Sequence, residues 1–166
     1  MWTALGVVVN NRLTATNHIN YVLTACSSLL YALRVLRCHG LPEPSVKDVF
    51  QATVLAKITY CLPALFGFCT AADRNRLDSF VRRCIKQGFW SSSNTPSISA
   101  IAEDIEDTLF NKITRCDYHI LQNYVLDRPE VHYNLRERHH NKVLIPKTVD
   151  LNDRDFLVRN VYRRIY

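Results

Sequence analysis

Apolar positions recur at a helical period along most of the chain. From Asn17 to His39 they fall at Ile19, Val22, Leu23, Cys26, Leu29, Leu30, Leu33 and Leu36, one stripe of a helix. Gly40 follows as a C-terminal stop. Leu41-Pro42-Glu43-Pro44 reads as a stiff connector, and Ser45 as an N-cap with Asp48 completing an imperfect capping box. From Val46 to Phe66 the chain is apolar nearly all round, which predicts the most buried helix, kinked or ended by Pro63. Thr70-x-x-Asp73 then opens a third helix with Leu77, Phe80, Val81, Cys84 and Ile85 on one side, and Gly88 closes it.

Outside these three helices the pattern weakens. Trp2 to Val9 is β-branched and apolar, ends at the turn signal Asn10-Asn11, and predicts one strand with an optional return near Leu13-Thr14. Ser91 to Ser97 is a serine-rich linker. Ile98 to Arg115 predicts a helix with Ile98, Ile101, Ala102, Ile105, Leu109 and Ile113 inward; a shorter helix is expected from Asp117 to Leu126. Residues 128–149 read as an irregular arm, and Asp153 to Tyr166 as a closing helix. The expected fold is therefore mostly α: a three-helix bundle over residues 16–90, a strand or hairpin over 1–15, a linker over 91–97, and a smaller helical extension over 98–166.

Charge is unevenly placed. The 166 residues carry a formal net charge of +6, which permits a polyanionic partner without requiring one. Residues 51–92 hold six Lys/Arg against two Asp/Glu, whereas residues 93–130 hold three against seven, so two surfaces with different partners are expected. Residues 13–33 lack all four charged types but are studded with Asn, Thr and Ser, and 58–72 is short for a bilayer. No membrane segment or signal peptide is expected, and the location is read as intracellular. The six cysteines contain no Cys-x-x-Cys pair and read as small buried hydrophobes of a reducing compartment.

The candidate chemistry is cationic. Arg82, Arg83 and Lys86 fan across the side of the third helix opposite its apolar stripe. Such a fan either complements the helix dipole in a solvated face or contacts phosphates, which position a duplex without reading its sequence. Lys57 counts to a place between Val46 and Phe50 on an already apolar helix, as a snorkeling side chain or a reach towards nucleic acid. Arg34 flanks the first helix's stripe, and Arg37 reads as a helix-end snorkeler. Glu103, Asp104, Glu106 and Asp107 read as a solvated face near a positive helix end rather than a metal cluster. Cys116-x-x-His119 with His132, His139 and His140 lacks the matched pairs of a closed zinc site. Phe89-Trp90 are expected to pack back on the helix end, with base stacking as the alternative.

Several phrases, in this order, resemble the region just downstream of the polymerase core in reverse transcriptases of non-LTR (LINE-like) retrotransposons. They are Leu5-Gly6-Val7, His18-Ile19, Tyr60-Cys61-Leu62-Pro63 with Phe66, and Leu77-Asp78 through Arg82-Arg83-Cys84. Pro96-Ser97, Leu109-Phe110-x-Lys112-Ile113, Leu135-Arg136-x-Arg138 and Tyr162-Arg163-Arg164-Ile165-Tyr166 continue the likeness. Asn10, Phe66 and Val81 depart from the family's usual Asp, Trp and Gln. The resemblance implies a thumb-like bundle gripping an RNA–DNA or DNA duplex through phosphates, with Arg82, Arg83 and Lys86 as the main contacts and Arg34 and Lys57 as lesser ones. It implies a separate palm as partner, and no cofactor in this chain, since Mg²⁺ would belong to that polymerase core. No Asp-Asp dipeptide, the family's metal-binding signature, occurs here, so the chain is expected to be inactive alone. The competing readings are a non-catalytic helical interaction module and a decayed retroelement fragment without activity.

Overall fold

A computed structural model describes residues 2–90, 96–129 and 140–163. The protein is mostly α with a short N-terminal antiparallel hairpin. It divides into two compact units, Met1–Ala102 and Glu103–Tyr166. The expected linker ends just before this division, and its residues 91–95 lie outside the described residues.

Unit 1 begins with β1 (Trp2–Ala4) and β2 (Val7–Val9), paired antiparallel with Trp2 opposite Val9. The expected single strand is therefore two. Leu5 and Gly6 both take positive φ, 48° and 79°, the conformation that a two-residue hairpin turn requires. No return strand forms at Leu13-Thr14. Asn10 Oδ1 instead accepts from the N–H groups of Arg12 and Thr14, and Leu13 itself sits at φ 50°.

Helix α1 (Thr16–Cys38) buries Ile19, Val22, Cys26, Leu30 and Leu33 as the pattern predicts, while Leu36 is exposed. Gly40, at φ 91°, ends it by donating to the Arg37 carbonyl. The second helix begins earlier than expected. Pro42, not Ser45, holds the N-cap position of α2 (Glu43–Phe50), because Pro44 is tolerated in a first turn.

This second helix is also not continuous. A π-helical turn (Gln51–Leu55) separates α2 from α3 (Ala56–Thr59), and a break at Cys61 precedes α4 (Leu62–Leu65) and a 3₁₀ turn (Phe66–Phe68). The reason lies in the spacing of the core side chains. Val46, Phe50, Val54, Ile58 and Leu62 are all buried and fall every fourth residue. On a regular α-helix each step of four drifts by about 40° around the axis. The wider i→i+5 turn takes up that drift and keeps the row facing α1. Pro63 stands in the first turn of α4, where its missing N–H breaks no hydrogen bond.

Helix α5 (Ala71–Lys86) completes the bundle. Thr70-x-x-Asp73 opens it as predicted, as a full capping box: Thr70 Oγ1 accepts from Asp73 N, and Thr70 N donates to Asp73 Oδ2 at 3.2 Å. Thr16 Oγ1 also donates to Asp73 Oδ2, tying the start of α1 to the start of α5. Gly88, at φ 76°, turns the chain so that Phe89 packs back, fully buried and stacked on Phe50 at 6.2 Å. Trp90 lies 6.3 Å from the same ring, so the expected packing is observed. Cys26, Cys69 and Cys84 are buried, whereas Cys38 and Cys116 are exposed and depart from the small-hydrophobe expectation. Burial pushes the thiols of Cys26 and Cys84 up to about 11.

Helix α6 (Ile98–Arg115) runs across the division between the units, with Ile98 and Ala102 buried in unit 1. In unit 2, Phe110, Ile113, Val125, Phe156 and Val161 form the core. The helix expected over Asp117–Leu126 is reduced to a 3₁₀ turn (Gln122–Tyr124). The closing helix is two: α7 (Asp150–Arg154) and α8 (Phe156–Arg163). Asp155 interrupts it because its carboxylate accepts from Val158 N, the geometry of a cap rather than a helix interior. Residues 130–139, most of the predicted arm, and 164–166 lie outside the described residues. Of the arm, an isolated bridge pairs Asp127 with Lys142.

Glu106 corrects the expected solvated acidic face. It is buried in unit 2, where Arg159 donates to its Oε1 at 2.7 Å and Arg163 stands 3.7 Å from its Oε2. Asp107 also pairs with Arg163, while Glu103 and Asp104 are exposed. Two helical stretches, Thr16–Cys38 and Glu43–Phe68, are apolar and long enough to cross a membrane by length and composition. The same stretches supply the core rows of unit 1.

Candidate nucleic-acid interface

The cations of α5 owe their exposure to where its acids are held. The helix contains two carboxylates, Asp73 and Asp78, and both are tied to backbone groups. Asp73 is 2% exposed and forms the capping box. Burial alone would raise its pKa, but hydrogen bonds from Thr70 and Thr16 and the charge of Arg76 outweigh that and hold it below the ordinary carboxylate value. Asp78 Oδ1 accepts from the N–H of Ile98 at 2.8 Å and so caps the incoming α6.

What remains on the outer face is Asn75, Arg76, Ser79, Arg82, Arg83 and Lys86, all exposed. No carboxylate lies on that face among the described residues. The helical period places these side chains over about a third of the circumference, opposite Leu77, Val81 and Cys84. Arg82 Nε lies 3.4 Å from the carbonyl of Asp78, and Arg83 lies over the edge of the Phe80 ring at 5.8 Å. Lys86 has no partner recorded among the described residues. Arg74, the remaining basic residue of α5, has a structural place: it donates to the Cys69 carbonyl and stacks over Phe66 at 4.6 Å.

The predicted fan does not act as one cluster. Arg83 shares a cleft of about 350 Å³ with Arg76, Ser79 and Asn75 of α5 and with Leu23 and Ser27 of α1. Arg82 leans the other way, into a smaller recess of about 200 Å³ with Asp78, Val81, Pro96 and Ser97. Arg76, Asn75 and Ser79 were not among the predicted residues. Their spacing to Arg83 at four, seven and eight residues was the signal available, but Ser and Asn carry no charge to attract notice.

Arg34 and Lys57 stand elsewhere. Arg34 donates to Gln87 Oε1 at 2.7 Å, and Arg37 donates to the Gln87 carbonyl while stacking over Phe89 at 4.7 Å. Both arginines thus brace the C-terminal end of α5. Lys57 is not set between Val46 and Phe50, because the π-helical turn resets the angular count that put it there. It lies instead 5.6 Å above the ring of Tyr21, in a groove of its own. Among the described residues no three His, Cys, Asp or Glu side chains come together to hold a metal ion. His132 and His139 of the considered zinc set lie outside those residues. No protein-family model matches the chain, and neither a curated protein nor a solved structure does.

Proposed function

We propose that unit 1 grips the sugar–phosphate backbone of a nucleic-acid duplex, in the manner of the thumb of a non-LTR retrotransposon reverse transcriptase. The observation that carries this reading is the face of α5: four cations with hydroxyl and amide side chains between them, and both local carboxylates engaged in caps, Asp73 keeping only a 3.8 Å contact to Arg76. A phosphate backbone presents regularly spaced charge, and an Arg/Lys row on one helix binds it without reading bases. Arg76 and Arg83 across the α1–α5 cleft and Arg82 and Lys86 beside them would each neutralise phosphate charge. Arg34 acts by bracing Gln87 rather than by touching the duplex. Phosphoryl transfer is assigned to a palm outside this chain, where Mg²⁺ would be held, and the work is placed inside the cell.

Titration of a labelled RNA–DNA hybrid at two salt concentrations tests the reading. The natural chain should bind weakly and lose affinity steeply with added salt. Reversing Arg82, Arg83 and Lys86 to Glu should abolish binding. Equal affinity in the triple variant, or binding indifferent to salt, refutes it.

A further inference from the structure

A second opening in unit 1 has different chemistry from the α5 face. A groove of about 430 Å³ is lined by His18, Tyr21 and Val22 of α1 and by Ala56, Lys57 and Tyr60 on the far side of the π-helical turn. Ala52 and Thr53 of that turn line it too, so the widened turn is part of the wall. Its volume falls within the range of small-molecule sites.

Three observations define what it would take. Lys57 is the only formal charge in the lining, and no carboxylate lines the groove among the described residues. Its ammonium lies over the Tyr21 ring, itself half exposed, and pairs with no carboxylate among the described residues. His18 is 6% exposed, and its Nδ1 accepts from Val8 N at 3.2 Å. The neutral ring then carries its hydrogen on Nε2, which has no acceptor recorded among the described residues. Burial, and secondarily the charge of Lys57, lower the pKa of His18 and favour that neutral state. Apart from Thr53, whose hydroxyl donates to the Val49 carbonyl, the rest of the lining is apolar or aromatic.

We propose that this groove binds a small monoanion with an apolar body, of the arylalkanoate class, its carboxylate on Lys57 Nζ and His18 Nε2 and its ring against Tyr21, Val22 and Ala56. One cation and one neutral donor suit a single negative charge. A phosphate dianion would leave charge uncompensated against apolar walls. The exposed hydroxyl of Tyr60 donates to the Leu5 carbonyl and fixes the hairpin turn beside the groove. The site is independent of the α5 face and does not rest on the nucleic-acid reading.

The test is an NMR titration of the full chain with 3-phenylpropionate, with 3-phenylpropanol and phenyl phosphate as comparators. The carboxylate should shift the Tyr21 and His18 resonances saturably and bind about tenfold more tightly than the alcohol. Lys57→Met should erase that difference, and Lys57→Arg should keep most of it. Equal binding of acid and alcohol, tighter binding of the phosphate, undiminished binding by Lys57→Met, or no saturable shift overturns the proposal.

Discussion

The two units carry similar charged residues and put them to opposite uses. In unit 1 the carboxylates of α5 bind backbone N–H groups, with only a long 3.8 Å contact from Asp73 to Arg76, and Arg82, Arg83 and Lys86 face solvent unpaired with any acid among the described residues. In unit 2 the carboxylates of α6 bind arginines directly: Glu106 with Arg159 and Arg163, and Asp107 with Arg163. A carboxylate that spends its oxygens on a cap leaves most of the neighbouring cations unneutralised. A carboxylate that pairs removes a cation from the surface. Net charge alone therefore says little about where a polyanion would land; the partner of each acid decides it.

The comparison breaks first at Glu106. Glu106→Ala should destabilise unit 2 by about 2 kcal/mol, because it removes the buried acceptor of charge-assisted bonds from two partly exposed arginines. Thermal unfolding would show it, and a loss of less than about 1 kcal/mol would mean that Arg159 and Arg163 find water freely.

Asp73 is next. Asp73→Ala removes a capping box and the tie to Thr16, and should cost about 1–2 kcal/mol. Its pKa is lowered in the folded protein, so its contribution is present above the ordinary carboxylate value of 3.8 and is lost as pH falls through the folded value. Acid titration of stability should therefore be flatter in Asp73→Ala than in the natural chain. A parallel pair of curves would show that the carboxylate's charge is not what the cap uses.

The smallest effect sharpens the contrast most. Changing Arg82, Arg83 and Lys86 together to Gln should alter folding stability by no more than about 0.5 kcal/mol, as for exposed residues with no acid partner among the described residues. The same change should reduce the salt dependence of hybrid binding by about three phosphate contacts' worth. A large stability loss would mean that these cations serve the fold.

Much of unit 1 was legible because its signals are local. Thr70 with Asp73, Gly40 and Gly88 mark helix ends by backbone chemistry that does not depend on the rest of the chain. The helix from Ile98 to about Arg115 was likewise expected and forms over Ile98–Arg115. The breaks at Gln51–Leu55 and Asp155 were not, since each is decided by a competitor invisible to a fixed period: a row of core side chains four apart, and an aspartate that caps instead of continuing. Lys57 was misplaced for the same reason, and with it the groove it shares with His18 and Tyr21.

By itself the sequence determined the helical class, the start of α5, the glycine stops and the cationic side of α5, because propensity, capping and periodicity act within a few residues. Only the tertiary structure decided which charges meet. Asp78 reaches Ile98 across twenty residues, and Arg159 reaches Glu106 across fifty-three. No local rule ties groups that far apart; packing brings them together, and the low dielectric of a buried site then makes the pairing count.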